Sequence, residues 1–284
     1  KEPPRSISVT AFEVDPALAE LLAQTLDDCR AACKEAGVRF ASRIVEDDYI
    51  LHSAEPLLEV VEGFNCAILN PPYAKINSAS RWRLALRSQG IETVNLYSAF
   101  VALALNQLEF GGELVAITPR SFCNGPYYRP FREHLLGLSS LQRLYVFESR
   151  KKAFKDDAVL QENVIVHVRR GEPQSSTVQL ETDIGDAREV PFEEVVRPGD
   201  KHRFIRLTLS SVDAALANRV QALPNMLADL DLQVSTGRVV DFRRREELRK
   251  EAGEGTAPLI YPSHLRDGAV RWPVPEFKKS NAIA

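Results

Sequence analysis

Phe64-Asn65-Cys66-Ala67-Ile68-Leu69-Asn70-Pro71-Pro72-Tyr73 is the stretch from which the rest of the chain is read. Phe64 to Leu69 is an apolar run of strand length, and Asn70 to Tyr73 stop it. Two prolines fix the backbone and remove two N–H donors. The acceptors left there are the Asn70 side-chain oxygen and the Pro71 carbonyl, with the planar ring of Tyr73 beside them. This tetrapeptide arises by chance in about one chain per thousand of this size. Its plain reading is a rigid strand-to-loop turn. Its chemical reading is a holder for an aryl amine, whose lone pair is delocalised into its ring and is a poor nucleophile. Two acceptors on the two N–H groups favour a pyramidal nitrogen and stabilise the positive charge that develops there. The tyrosine supplies a stacking face.

Upstream, two further strands end in polar clusters. Ile7 to Phe12 alternates like a short strand and runs into Glu13. Asp15-Pro16 reads as an N-cap with proline in the first turn. Leu18, Leu21, Leu22, Leu26, Cys29 and Cys33 follow at helical spacing, with Gly37 as the stop. Cys29 and Cys33 read as small core residues of that helix. Val38 to Val45 reads as the next strand, ending at Glu46-Asp47-Asp48-Tyr49, and a helix is expected over 53–62. Glu13 suits a pair of ribose hydroxyls or, equally, a solvated charge beside a helix N-terminus. Asp48 and Tyr49 suit an adenine amino group and its ring or, equally, an ordinary turn.

Downstream, residues 74–92 show no clean period and read as a long loop. Leu96 to Leu108 reads as an apolar helix closed by Gly111-Gly112. Strands are expected over 113–118, 141–147, 159–168 and 203–209, with helices around 131–136 and 210–223. Alternating strands and helices imply an α/β, doubly wound, mostly parallel sheet, which binds ligands at the C-terminal ends of its strands. Glu13, Asp48-Tyr49 and Asn70–Tyr73 all share that address. The character changes after Pro224. Residues 234–284 hold ten Lys and Arg against seven Asp and Glu, so a boundary is expected near 225–233 and two regions result, 1–224 and 225–284. Arg238, Arg243, Arg244 and Arg245 could meet phosphates, or form a solvated face paired to Glu246, Glu247 and Glu251.

The chain has 284 residues, is 44% apolar and carries a formal net charge of -3, which argues against non-specific coating of nucleic acid but not against a local basic cleft. No apolar run reaches the ~20 residues of a membrane helix, and a cytoplasmic address is expected. The four cysteines form no paired CxxC set, so no metal is expected.

These motifs together resemble the gamma-class N6-adenine DNA methyltransferases, especially the catalytic part of type IIG-like restriction–modification enzymes. The resemblance runs over about 7–170 and more weakly beyond. It implies a Rossmann-like class I methyltransferase fold with S-adenosyl-L-methionine as cofactor, followed by the start of a target-recognition region. Ala11-Phe12-Glu13-Val14-Asp15-Pro16 resembles the motif whose acid binds the cofactor ribose, Glu13 here. Asp48-Tyr49 resembles the motif that meets the cofactor adenine. Asn70, Pro71, Pro72 and Tyr73 match the catalytic motif in full. Asn95-Leu96-Tyr97 through Phe100, and Ile117 to Phe122, resemble the next two motifs, and Phe154 resembles the aromatic residue that contacts the flipped base. The implied partners are double-stranded DNA with a flipped adenine and a nuclease domain or subunit.

Two departures shape the expectation. The family's glycine-rich cofactor loop and its strand should precede Glu13, and only Lys1 to Ser6 stand before the first strand. The recognition region is also short. Both fit a fragment of a longer protein whose cofactor binding is impaired. The same tetrapeptide also serves enzymes that methylate glutamine side chains, and a DNA-binding remnant without catalysis is the third reading. The basic, turn-rich end argues for DNA.

Overall fold

The computed structural model describes residues 4–54, 63–147, 162–234, 237, 239–275 and 278–284. The chain forms two units, Lys1–Asn218 and Arg219–Ala284. The first begins with β1 (Ser6–Phe12), α1 (Pro16–Glu35) and β2 (Arg39–Val45). Asp15 caps α1 as its side chain predicts, accepting from Ala17 N at 2.9 Å, with a proline in the first turn. Gly37 ends it at φ +70°, a conformation that costs glycine little. β1 and β2 pair in parallel, Phe12 opposite Val45. The cysteines are not core residues: Cys29 is exposed and Cys33 half-buried. Of the apolar stripe that suggested a core helix, Leu26 is buried, Leu22 and Cys33 are half-buried, and Leu18, Leu21 and Cys29 are exposed.

α2 (Tyr49–Ala54) leads toward β3 (Phe64–Leu69). The helix expected over 53–62 overlaps α2 at residues 53–54, and residues 55–62 lie outside the described residues. α3 (Arg81–Ser88) corrects the long loop expected over 74–92. Ser80 caps it, accepting from Arg83 N at 3.3 Å. Its inward face is Leu86 together with Arg83, whose guanidinium donates to Glu92 and to the Thr93 carbonyl. An arginine on the buried face erases the apolar period that would have revealed the helix.

α4 (Leu96–Gln107) is apolar on every side and buried accordingly. It passes directly into β4 (Leu108–Pro119), so Gly111-Gly112 does not close the helix. The pair forms a bulge inside β4, where the register against β3 shifts between Phe64↔Leu108 and Cys66↔Glu113. Gly111 sits at φ +81°. A Cβ on Gly112 would stand 3.0 Å from the carbonyl oxygens of both Glu109 and Phe64. Gly112→Ala is expected to cost about 1–3 kcal/mol, read as a lower denaturant midpoint at unchanged slope.

α5 (Arg129–Leu138), β5 (Ser139–Val146), β6 (Asn163–Arg170), β7 (Thr177–Thr182), β8 (Ala187–Pro191), the short α6 (Phe192–Val195) and α7 (Ser211–Gln221) follow. The larger sheet has the order β3-β4-β6-β5-β7-β8. β3, β4, β5 and β7 run one way, while β6 and β8 run against them. The α/β, Rossmann-like expectation holds, with β6 inserted as a reversed strand between two parallel ones. Among the described residues, β1 and β3 each pair on one side only. The strand expected over 203–209 is instead an irregular segment, tied by Ile205 N to Cys123 O at 2.9 Å and by Arg206 N to Val195 O at 2.8 Å. The core lies between α4, α5 and the inner face of the sheet, built from residues such as Leu105, Leu114, Leu135, Leu144 and Val166.

The second unit has little regular structure. β9 (Leu248–Arg249), β10 (Ala257–Pro258) and β13 (Ala282–Ile283) form a small sheet, and β11 (Leu265–Arg266) pairs with β12 (Ala269–Val270). Polar contacts hold it: buried His264 meets the Asn281 amide, whose Nδ2 donates to the Val274 carbonyl at 3.0 Å. Arg244 pairs with Glu247 at 2.7 Å, and Arg243 lies over the Phe242 ring. The side chain of Arg238 lies outside the described residues.

Candidate active site

The tetrapeptide leaves the C-terminal end of β3 as expected, with Asn70 exposed and Pro71 buried. Among the described residues the Asn70 amide makes no hydrogen bond, so both of its polar atoms face outward uncommitted. The chain is fixed immediately afterwards. Leu96 N donates to the Ala74 carbonyl and Ile76 N to the Val94 carbonyl, each at 2.8 Å, and Lys75 bridges Asn95. An acceptor pair on a strand end needs this second anchor if its geometry is to persist.

Tyr73 is held from two sides. Its hydroxyl donates to the Ile117 carbonyl of β4 at 3.3 Å. Its ring meets Tyr97 edge-on at 6.0 Å, and Tyr97 in turn meets Tyr128 at 5.7 Å. The Tyr97 hydroxyl lies 3.3 Å from Ser121 Oγ, and Asn95 Nδ2 donates to the Tyr128 hydroxyl. Burial pushes the Tyr73 phenol up to about 12 and raises Tyr97 further, so these rings stay neutral at physiological pH. The sequence gives Tyr97 and Ser121 as parts of motifs but nothing of their task, and Tyr128 carries no signal there at all.

Glu13 stands at the end of β1 with its Oε1 accepting from Val14 N at 2.8 Å and Asp15 N at 2.9 Å. The turn therefore orients the carboxylate before any ligand arrives. Asp48 follows β2. Its Oδ1 accepts from Leu51 N at 3.1 Å and its Oδ2 from the Trp82 indole at 2.8 Å. A carboxylate has about four acceptor sites, so each oxygen keeps capacity. Trp82 lies in the stretch read as loop, which is why its role is not visible in the sequence. Tyr49 is placed differently from its neighbour. It is 9% exposed, packs between Phe12 and Phe100 with centroids 4.9 Å from each, and donates to Gln107 Oε1 at 2.8 Å. It is a core residue beneath the strand ends, where burial raises its phenol, and it offers no free ring face. Phe154 lies outside the described residues.

Residues 20–154 match the family model described as the Eco57I restriction-modification methylase. The chain is 47% identical to the type II methyltransferase M.PstI of Providencia stuartii, over 98% of this chain and 57% of that protein. It is 44% identical to the type II methyltransferase M.BsuBI of Bacillus subtilis, over 96% of this chain and 55% of that one. By these matches the chain is similar to the restriction-modification methylases. It spans little more than half the length of these curated relatives. The fold is shared with a modification subunit of a putative type I restriction enzyme from Vibrio vulnificus YJ016, at a TM-score of 0.51 and 13% identity, covering 80% of this chain and 50% of that one. Among the described residues, no helix is long and apolar enough to cross a membrane.

Glu13 is testable as a cofactor ligand. Glu13→Gln keeps an oxygen for Val14 N and Asp15 N, removes the charge and turns the other acceptor oxygen into an NH2 donor. S-adenosylmethionine affinity of the full-length protein is expected to fall about tenfold by calorimetry, from the weaker bonding of a neutral acceptor.

Proposed function

We propose that this chain is the catalytic part of an S-adenosylmethionine-dependent, cytoplasmic DNA methyltransferase that methylates adenine N6 within a restriction–modification system, where a nuclease domain or subunit acts on the same DNA. The observation that carries the reading is the uncommitted Asn70 amide at the end of β3, beside a proline carbonyl and a tyrosine locked by β4. The similarity to restriction-modification methylases supports it.

The target adenine leaves the duplex stack and comes to lie beside Asn70. Asn70 Oδ1 and the Pro71 carbonyl each accept one N6–H. Tyr73, neutral and fixed, takes the base face, with Phe154 assigned to the base on motif grounds. Holding both hydrogens turns the nitrogen lone pair out of conjugation, and the same two acceptors stabilise the positive charge that grows on N6. The carboxylates fit the cofactor by their chemistry: Glu13 suits its ribose hydroxyls and Asp48 its adenine amine, with Tyr49 supporting the turn from below. S-adenosylmethionine supplies an electrophilic methyl group when bound.

The full-length enzyme, incubated with labelled S-adenosylmethionine and DNA, should yield N6-methyladenine on digestion to nucleosides. Label on cytosine, or only on a glutamine-bearing peptide, would reject the assignment.

A further inference from the structure

Asn163 opens β6 and is wholly buried, yet neither its Nδ2 nor its Oδ1 has a hydrogen-bonding partner among the described residues. Its main chain is well placed. It stands opposite Pro119 of β4, and its carbonyl accepts from Phe147 N at 3.4 Å. A buried amide with both atoms unpaired is costly and uncommon in a native fold. Its neighbours on the strand, Val164 and Ile165, are apolar, so leucine would serve the packing better.

The position of this amide gives it a use. Alternation along β4 sends Leu114, Ala116 and Thr118 into the core and Val115 and Ile117 to the other face. Asn163 shares that other face with Ile165, since Val164 and Val166 point to the core. The same alternation along β3, continued past the highly exposed Ile68, puts Asn70 on this face too. Asn163 therefore lies two strands across from Asn70 and two residues further along, roughly 12 Å between Cα atoms. One purine, contacted from both ends, fills such a gap.

We propose that Asn163 reads the target base, its Nδ2 donating to a ring nitrogen on an edge that Asn70 and Pro71 leave unread, while a water entering with the base serves Oδ1. This rests on the adenine reading above. It makes Asn163 a specificity residue whose lack of a partner among the described residues is the cost of its selectivity. Asn163 is fully buried in the free protein, so binding has to expose its amide.

The test uses the full-length enzyme in single turnover, on duplexes with 1-deaza-, 3-deaza- or 7-deazaadenine in place of the base shown to be methylated. The wild type should slow on one of the three by about 5- to 150-fold, the penalty for stranding one buried donor. Asn163→Leu should melt no lower than wild type, slow on adenine by a similar factor, and treat adenine and that analogue alike. A wild type indifferent to all three analogues overturns the proposal, and this arm needs no variant to fold. So does an Asn163→Leu enzyme that keeps the wild-type rate or still discriminates. If the wild type methylates no adenine in any DNA, the parent reading falls with it, which is a different result from methylation without discrimination.

Discussion

Asn70→Ala is expected to slow methyl transfer by about 10²–10³-fold in single turnover, the cost of deleting one preorganised partner of a developing charge. Fold stability should change by no more than about 0.5 kcal/mol, because Asn70 is exposed and its amide makes no hydrogen bond among the described residues. The separation of these two effects is what identifies a residue kept for chemistry. DNA affinity should stay within about threefold, since in the proposed mechanism the amide meets only the flipped base and the duplex is held by its phosphates. Asn70→Asp is the informative companion. It keeps an acceptor for N6–H, so it should recover part of the rate lost in Asn70→Ala. Undiminished transfer by Asn70→Ala, or a loss matched by unfolding, would remove Asn70 from the chemistry.

The place of the Asn70–Tyr73 turn was legible in the sequence because its constraint is covalent and local: two prolines delete donors wherever they fold, and an apolar strand just before them fixes which end of the sheet they occupy. The first helix was legible for a similar reason, since Asp15 and Pro16 act within one turn. What escaped depends on partners far away in the chain. Tyr73 is aligned by β4 and by two tyrosines from other elements, a relation that no spacing announces. The place of Tyr49 after Asp48 suits a ligand contact or an ordinary turn equally, and neither reading shows that Phe12 and Phe100 claim its ring. Helix α3 was hidden because its inward face includes Arg83, and hydrophobic periodicity counts every arginine as outward. Gly111-Gly112 misled in the opposite direction. Glycine after an apolar helix is a stop signal, and here the carbonyls of Glu109 and Phe64 crowd the chain so that glycine serves a bulge.

Arg132→Met is expected to destabilise the protein by about 3 kcal/mol, seen as a lower denaturant midpoint at unchanged slope. Arg132 lies on α5 and is fully buried, a place where an arginine survives only if its donors are satisfied. The guanidinium donates to the carbonyls of Phe122 at 2.7 Å, Gly125 at 2.8 Å and His202 at 2.9 and 2.8 Å, and it lies over the Phe204 ring. Methionine fills the stem and strands three carbonyls at about 1–3 kcal/mol each. The solvation that a buried charge no longer forfeits offsets part of that sum. Arg132→Lys should rescue little, because one ammonium cannot reach three carbonyls that a planar fork spans. The consequence reaches the site. Phe122 and Gly125 bracket the loop between Ser121 and Tyr128, which seat Tyr97, and Tyr97 seats Tyr73. Methyl transfer by Arg132→Met should therefore fall even at temperatures where the variant stays folded. A stability loss below about 1 kcal/mol would show that these carbonyls find other donors, and would leave Tyr73 to be held by β4 alone.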